Sequence, residues 1–388
     1  MKKGWVIKKL GDVLEVQNGY AFDSKGFNPT KGLPLIRIRS LKSGSETETR
    51  FNGEHDKKYV VKAGDLLIGM DGEFGCYEWK SGPALLNQRV CRLQGFASEL
   101  VPRFLFYGVN SYLKEIEEVT GYTTVKHLSS KQILDIGFPL APLAEQQRIV
   151  GLLDEAFEGI ATAKANAEKN LQNARALFES HLQSVFSQRG KGWVDRQLVS
   201  LCHEITVGHV GSMKTEYKPD GVPFLRSQNI RPFEVSMENA MFIDQKFHRT
   251  LKKSQLRPGD LAIVRTGYPG TAAVIPPELP DSNCSDLVIV RPSKEVDPHF
   301  LAAFFNSAFG KQLVLGKIVG AAQKHFNVTA AKEVMLHVPP LPEQHEIIRM
   351  VAALREETQR LATLYTRKLA ALEALKKSLL HQAFSGEL

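Results

Sequence analysis

Pro142-Leu-Ala-Glu-Gln-Gln-Arg-Ile149 and Pro340-Leu-Pro-Glu-Gln-His-Glu-Ile347 are one phrase written twice, 198 positions apart in a chain of 388 residues. Each opens a charged segment that closes on Phe-Ser, at Phe186-Ser187 and Phe384-Ser385. In the first segment Ile149, Leu153, Ala156, Ile160, Ala163, Ala167, Leu171, Ala174, Phe178, Leu182 and Val185 follow steps of three and four. A stripe that narrow is the seam of a coiled coil rather than the broader face of a surface helix. The matching positions of the second segment are Ile347, Val351, Leu354, Thr358, Leu361, Tyr365, Leu369, Leu372, Lys376, Leu380 and Ala383, and nine of these eleven are apolar. The extra step near Phe178 resembles a stutter, which locally unwinds a supercoil. Pro142 and Pro340 end the preceding segments, and Glu145 and Glu343 put negative charge in the first turn, where the helix dipole favours it. At 1.5 Å per residue, forty residues reach about 60 Å. An amphipathic helix of that length needs a partner, and its in-phase twin supplies one.

The rest of the repeat is fainter and keeps the same order. Trp5 answers to Trp193, Gly32-Leu-Pro-Leu-Ile-Arg37 to Gly221-Val-Pro-Phe-Leu-Arg226, and Ala63-Gly-Asp-Leu-Leu-Ile68 to Pro258-Gly-Asp-Leu-Ala-Ile263. The offset grows from 189 to 195 between the last two, so the second globular part carries insertions. A period this long excludes a solenoid and indicates a duplicated two-part unit. We expect domains at 1–141 and 191–339, a central helix at 142–190 and a C-terminal helix at 340–388. The globular parts read as mixed α and β. Leu35-Ile-Arg-Ile, Leu66-Leu-Ile-Gly, Leu261-Ala-Ile-Val and Leu287-Val-Ile-Val-Arg are short strands punctuated by Gly and Pro, while Phe104–Glu118 and Pro298–Leu315 have helical spacing. Each part, at about 140 residues, is large enough for its own core.

Fifty Lys and Arg against 42 Asp and Glu give a net charge of +8, which suits a nucleic-acid partner without specifying one. The four cysteines show no CxxC and no metal-like spacing, which points to reduced thiols and the cytoplasm. No secretory signal follows Lys2 and Lys3, and no apolar run is long enough to span a membrane. Catalytic motifs are near misses. Pro276-Pro277 and Pro339-Pro340 lack the flanks of an adenine-methyltransferase motif, and Gly208–Thr215 has Met213 where a P-loop needs Gly. Pro219-Asp220 with Asp244-Gln-Lys246 fits a metal nuclease loosely and has no counterpart in the first half. We expect no catalytic residue and no metal site on this chain.

The twice-written Pro-Leu-x-Glu-Gln-x-x-Ile entry, the Gly-Asp-Leu hairpin and the early Trp in each half resemble the specificity (S) subunits of type I restriction-modification systems. The resemblance covers essentially the whole chain. It implies an α+β architecture of two target-recognition domains joined by two long helices in an antiparallel coiled coil, related by a pseudo-twofold axis. It further implies a double-stranded DNA partner read as two separated, unlike half-sites, with the helices setting the gap. Two modification (methyltransferase) subunits would bring S-adenosylmethionine, and restriction/translocase subunits would use ATP and magnesium. No cofactor would belong to this chain. A self-contained nuclease or methyltransferase, or a coiled-coil scaffold unrelated to DNA, stays open as an alternative.

Arg and Lys pair with guanine edges or phosphates, and Asn and Gln with adenine. On that ground the DNA-contact candidates in the second half are Arg226, Gln228, Asn229 and Arg231 after a strand. Arg265 and Tyr268 follow in the loop after the Gly-Asp hairpin, and Gln323 and Lys324 in a Gly-Ala-rich turn. Those in the first half are Arg37, Arg39, Lys42 and Lys126, with Met70–Phe74 as the matching hairpin loop. Trp5 and Trp193 read as core. Pro142, Glu145, Gln146, Pro340, Glu343 and Gln344 read as a helix junction and partner surface rather than a DNA site.

Overall fold

The computed structural model describes residues 4–43, 47–119, 126–188, 190–316 and 326–388. Two compact units emerge: Met1–Asn166 with Leu369–Leu388, and Ala167–Lys368. The long helices run Leu143–Ser187 and Leu341–Ser385, 45 residues each. Each unit therefore combines the start of one helix with the end of the other.

Within the first unit the chain begins as Val6–Lys9, paired antiparallel with Gly137–Leu140 just ahead of the central helix. A four-stranded antiparallel sheet follows, in the order Glu15–Asn18, Val90–Gln94, Leu66–Gly69, Cys76–Glu78. A five-stranded sheet is ordered Phe27–Asn28, Arg50–Phe51, Leu33–Ile36, Ala84–Leu86, Val60–Val61, with one parallel pairing, Leu35 opposite Leu85. The second unit repeats this topology. Val194–Gln197 pairs with Met335–Val338, the four-stranded order is Cys202–Val207, Leu287–Pro292, Leu261–Val264, Ala272–Val274, and Phe224 lies parallel to Asn283 in the five-stranded sheet. The expected strand Leu35-Ile-Arg-Ile is shorter than read: pairing ends at Ile36, and Ile38–Leu41 turns helical.

The strands Leu66–Gly69 and Leu261–Val264 are apolar along their whole length because both their faces are covered. Successive side chains alternate faces. Leu66 and Ile68 enter the core that contains Ile149 and Ala383, whereas Leu67 enters a second core with Trp79 and Ile36. In the second unit Leu261 and Ile263 face the core of Phe186 and Ile347, and Ala262 and Val264 face that of Leu225. The Gly-Asp-Leu motif ahead of each strand is a turn device. Gly64 and Gly259 hold φ of 90° and 86°, a region suited to glycine. Asp65 Oδ2 accepts from Lys62 N (2.9 Å) and Arg92 Nη1 (3.1 Å). Asp260 Oδ2 accepts from Arg257 N (3.0 Å) and lies 3.5 Å from Arg291 Nε. Burial pushes the Asp260 carboxyl up, against the pull of the Arg257 amide and Arg291.

The segment expected as a single helix over Pro298–Leu315 is two, Pro298–Asn306 and Ala308–Gly316. The buried Asn306 amide spends its groups on Ala272 N and O (3.2 and 2.8 Å), and Ser307 Oγ accepts from Gly310 N (2.9 Å) to start the second piece. Side-chain bonds of this kind compete with a continuous helix.

All eleven seam positions of the central helix are buried or half-buried, and in the C-terminal helix Lys376 alone of the eleven is exposed. The helices run antiparallel in each unit. In the first, Arg148 donates to Leu388 O (2.7 Å), Phe157 carries the Lys376 ammonium 5.2 Å from its ring, and Lys164 pairs with Glu373 at 2.7 Å. In the second, Leu182 and Phe186 share a core with Ile347 and Val351. The closing Phe-Ser now has a reason. Phe384 packs 4.9 Å from Phe104 and 5.9 Å from Phe138, and Phe186 packs 5.3 Å from Phe300 and 5.6 Å from Phe304.

Candidate nucleic-acid interface

In the second unit the parallel pairing of Leu225 with Cys284 brings together the ends of three segments that are distant in sequence. Between them lies a cleft of about 740 Å³, and Arg226, Gln228, Arg231 and Tyr268 all line it, joined by Lys311 and Asp286. Arg226 Nη2 and Gln228 Nε2 both donate to Asn239 O, at 3.2 and 3.3 Å. The buried Nε of Arg226 has no hydrogen-bond partner among the described residues. Arg231 reaches outward and pairs with Glu238. Tyr268 is 84% exposed beside Gly267, whose φ of 80° turns the loop. Asp286, at φ 56°, accepts from Ser227 Oγ (3.1 Å) and from the Thr266 hydroxyl. The cleft thus offers guanidinium, amide and ammonium donors, one carboxylate acceptor and an exposed ring, the groups that read base edges and stack on bases.

One expected contact needs correcting. Asn229 is fully buried: its Oδ1 accepts from Arg226 N (3.0 Å), and its Nδ2 donates to Ser236 O (3.0 Å) and Glu238 O (3.1 Å). It shapes the loop and has no free edge for a base. Arg265 is held back at the cleft's margin, its side chain 18% exposed and its Nη1 4.0 Å from Asp286. Gln323 and Lys324 lie outside the described residues.

The first unit presents its candidates differently. The Arg37 guanidinium lies over the Phe27 ring at 5.1 Å, Arg39 is 3.8 Å from Glu48, and Lys42 pairs with Glu73 at 2.5 Å. That pairing holds the Lys42 ammonium above the usual lysine range and the Glu73 carboxyl below its own. Lys126 donates to Glu117 O at 2.7 Å. In the candidate loop Met70–Phe74, Met70 and Phe74 are each 6% exposed, and the residues between them bring Asp71 and Glu73. Asp71 in turn holds Arg89 (3.2 Å) and His127 (2.7 Å). Arg89 occupies the place before its strand that Asp286 occupies in the second unit. It was missed because nothing near it in sequence marks a loop. Asp286 and Lys311 were missed because only the tertiary fold brings them to the cleft.

The repeated helix entries are junctions inside each unit. Gln146 and Gln344 are both fully buried. Gln146 Oε1 accepts from Val101 N while Nε2 donates to Glu99 O and Ala141 O, all at 2.8 Å. Gln344 repeats the set with Asp297 N (2.9 Å), Glu295 O (3.2 Å) and Pro339 O (2.9 Å). Each amide stitches the helix to the strand before it and to the loop ahead of the Pro102 or Pro298 helix. Glu343 Oε1 accepts from Trp193 Nε1 (2.8 Å), and Glu145 pairs with Arg148 (2.7 Å). Pro142 and Pro340 stay exposed at the entries. Trp5 belongs to the core of the first unit, and Trp193 is half-buried against the core of the second. Asp244, once a carboxylate of the loose nuclease pattern, caps a short helix by accepting from Phe247 N (2.7 Å). Among the described residues no three His, Cys, Asp or Glu side chains stand together to hold a metal, and no helix is long and apolar enough to cross a membrane.

Twin reading domains on a repeated helical frame define a recognition protein. The family profile described as Type I restriction modification DNA specificity domain matches residues 2–172 and again 191–367. The EcoBI specificity subunit of Escherichia coli is 28% identical over 409 residues, which cover 99% of this chain and 86% of that protein. The MjaVIII specificity subunit of Methanocaldococcus jannaschii is 20% identical and covers 99% and 93%. Among solved structures, a chain from work on complex assembly and conformational transition of the type I R-M system superposes with a TM-score of 0.76 at 18% identity, covering 100% and 99% of the two chains. The HsdS subunit of Thermoanaerobacter tengcongensis gives 0.60, also at 18%, over 100% and 98%. The chain belongs to the type I restriction-modification DNA specificity family, as a DNA-recognition subunit and not an enzyme. Its partners are DNA and the other subunits of such a complex.

Proposed function

We propose that each unit reads one half of a split, asymmetric DNA site while the helix pair sets the unread gap. Two modification subunits dock on the frame and methylate adenines with the S-adenosylmethionine they carry, at a cost of a few kcal/mol for each base unstacked. Restriction subunits, where present, supply the ATP- and magnesium-dependent steps, and the complex works in the cytoplasm. The observation that carries this reading is the contrast between frame and clefts. Gln146 and Gln344 make the same three bonds. The candidate surfaces differ: Arg226, Gln228, Arg231 and Tyr268 line one cleft in the second unit, while in the first Arg37, Arg39 and Lys42 are held separately by Phe27, Glu48 and Glu73. Unlike readers on a common frame read unlike half-sites. The test is co-expression with a modification subunit and mapping of methylated adenines on genomic DNA. A split asymmetric motif that vanishes without this chain is expected. Methylation independent of the chain, despite a stable complex, would favour a scaffold.

A further inference from the structure

We propose that Phe233 is a positioning residue. It wedges the second reader between the two long helices and fixes the gap at which the second half-site is accepted. The inference rests on the split-site reading above. Phe233 sits at the tip of a hairpin formed by Ile230–Arg231 and Glu234–Val235. Its φ is 64°, a backbone state that an aromatic residue rarely adopts and that persists where the surroundings enforce it. The two-residue turn Pro232-Phe233 sets it, with Phe233 N donating to Ala272 O (3.0 Å), and the helix pair holds the ring. The ring lies 5.9 Å from that of Phe178 of the central helix and 5.1 Å from the guanidinium of Arg355 of the C-terminal helix. Arg355 also donates to Phe233 O (3.5 Å) and Pro232 O (3.4 Å). Each helix thus contributes one side chain to hold the ring. The residues next to it, Arg231 and Pro232, line the reading cleft. The cleft and the frame are therefore joined through two consecutive residues.

The first unit shows what the helix pair does without a wedge. Moving Phe178 and Arg355 by the repeat of 198 gives Lys376 and Phe157. These two meet directly, with the ammonium 5.2 Å from the ring. The same cation and aromatic pair, with its members at exchanged positions of the repeat, is closed in one unit and filled by Phe233 in the other. The hairpin that carries the wedge has no counterpart among the described residues between Ile36 and Val60.

Phe233→Gly removes the ring and leaves a residue at ease with positive φ, while Phe233→Tyr keeps the ring. Each full-length chain is co-expressed with its modification subunits, and methylated adenines are mapped. Wild type and Phe233→Tyr should methylate one gap length. Phe233→Gly should keep both half-site sequences and also methylate sites whose gap is a base pair longer or shorter, about tenfold above wild type, as expected for losing one ring contact. Arg355→Ala should broaden the gap in the same direction and Arg355→Lys should restore it, with an unchanged melting temperature showing that each variant is folded. A strict gap in both Phe233→Gly and Arg355→Ala would overturn the wedge and leave the split-site reading intact. Loss of the second half-site sequence with a strict gap, or a uniform loss of methylation in both variants, would also overturn it. Absence of a split motif in wild type would instead remove the reading beneath it, and the wedge too.

Discussion

The first and second units pair their strands in the same order but treat the helix pair differently. One closes it with Phe157 and Lys376, and the other opens it to admit Phe233. What the units share is buried or half-buried and tied to its neighbours: the Gln146 and Gln344 amides, the Asp65–Arg92 and Asp260–Arg291 pairs, the packing of Phe384 and Phe186. What they do not share lies at the surface, around Arg226 in one and Lys42 in the other. A buried polar group that loses its partner costs the full desolvation of that group, so its neighbours are fixed with it. An exposed side chain can change at little cost in stability, which leaves the readers free to differ.

The largest effect should come from Arg226→Ala with Arg231→Ala. At 1–3 kcal/mol for each lost base contact, discrimination at the second half-site should fall about a hundredfold while the first half-site is unchanged. Equal loss at both half-sites in the methylation map would break the comparison between independent readers. Next is the frame. Gln146→Leu and Gln344→Leu each strand one backbone N–H and two C=O groups, and each should cost about 2–4 kcal/mol in denaturant unfolding. Similar values would sharpen the idea of one frame used twice, and a large difference would break it. Smaller still, Lys376→Met in the closed pair should cost about 0.5–1 kcal/mol and leave the gap length unchanged, because no reader is wedged there. The smallest structural effect should follow Lys42→Ala, with the melting temperature unmoved. If Lys42 touches a phosphate in the first reader, the salt slope of DNA binding falls by about one. Its pairing with Glu73 should not change through neutral pH. A raised lysine loses its contribution only above the usual lysine range, and a lowered carboxyl loses its own only below the usual carboxylate range. A DNA affinity that varied across neutral pH through this pair would contradict that.

The frame was readable from sequence because helix periodicity is local. The seam from Ile149 to Val185 and its image from Ile347 to Ala383 follow from spacing alone, and the single exposed position, Lys376, was already a polar exception. Gly-Asp-Leu was readable as a turn for the same reason. The cleft was readable in part. Arg226, Gln228 and Arg231 belong to one short run, and Tyr268 to a loop marked by glycine. Their meeting with Asp286 and Lys311 depends on a parallel strand pairing between residues some sixty positions apart, which no local signal encodes. Asn229 misled because the same amide that suits adenine also suits a tight loop. Phe233 gave no signal at all, since a wedge is defined by what surrounds it.

The first unit's core includes Ala383, with Phe384 and Leu388 packed against it. The first unit is thus completed by residues some 200 positions further along the chain, and during synthesis the socket beside Phe104 stands empty while those residues are added. At 5–20 residues per second that wait is about 10–40 s. Loss of Leu369–Leu388 would be felt in a domain encoded some 200 codons earlier, so translation must pass Phe384 before the first reader is whole.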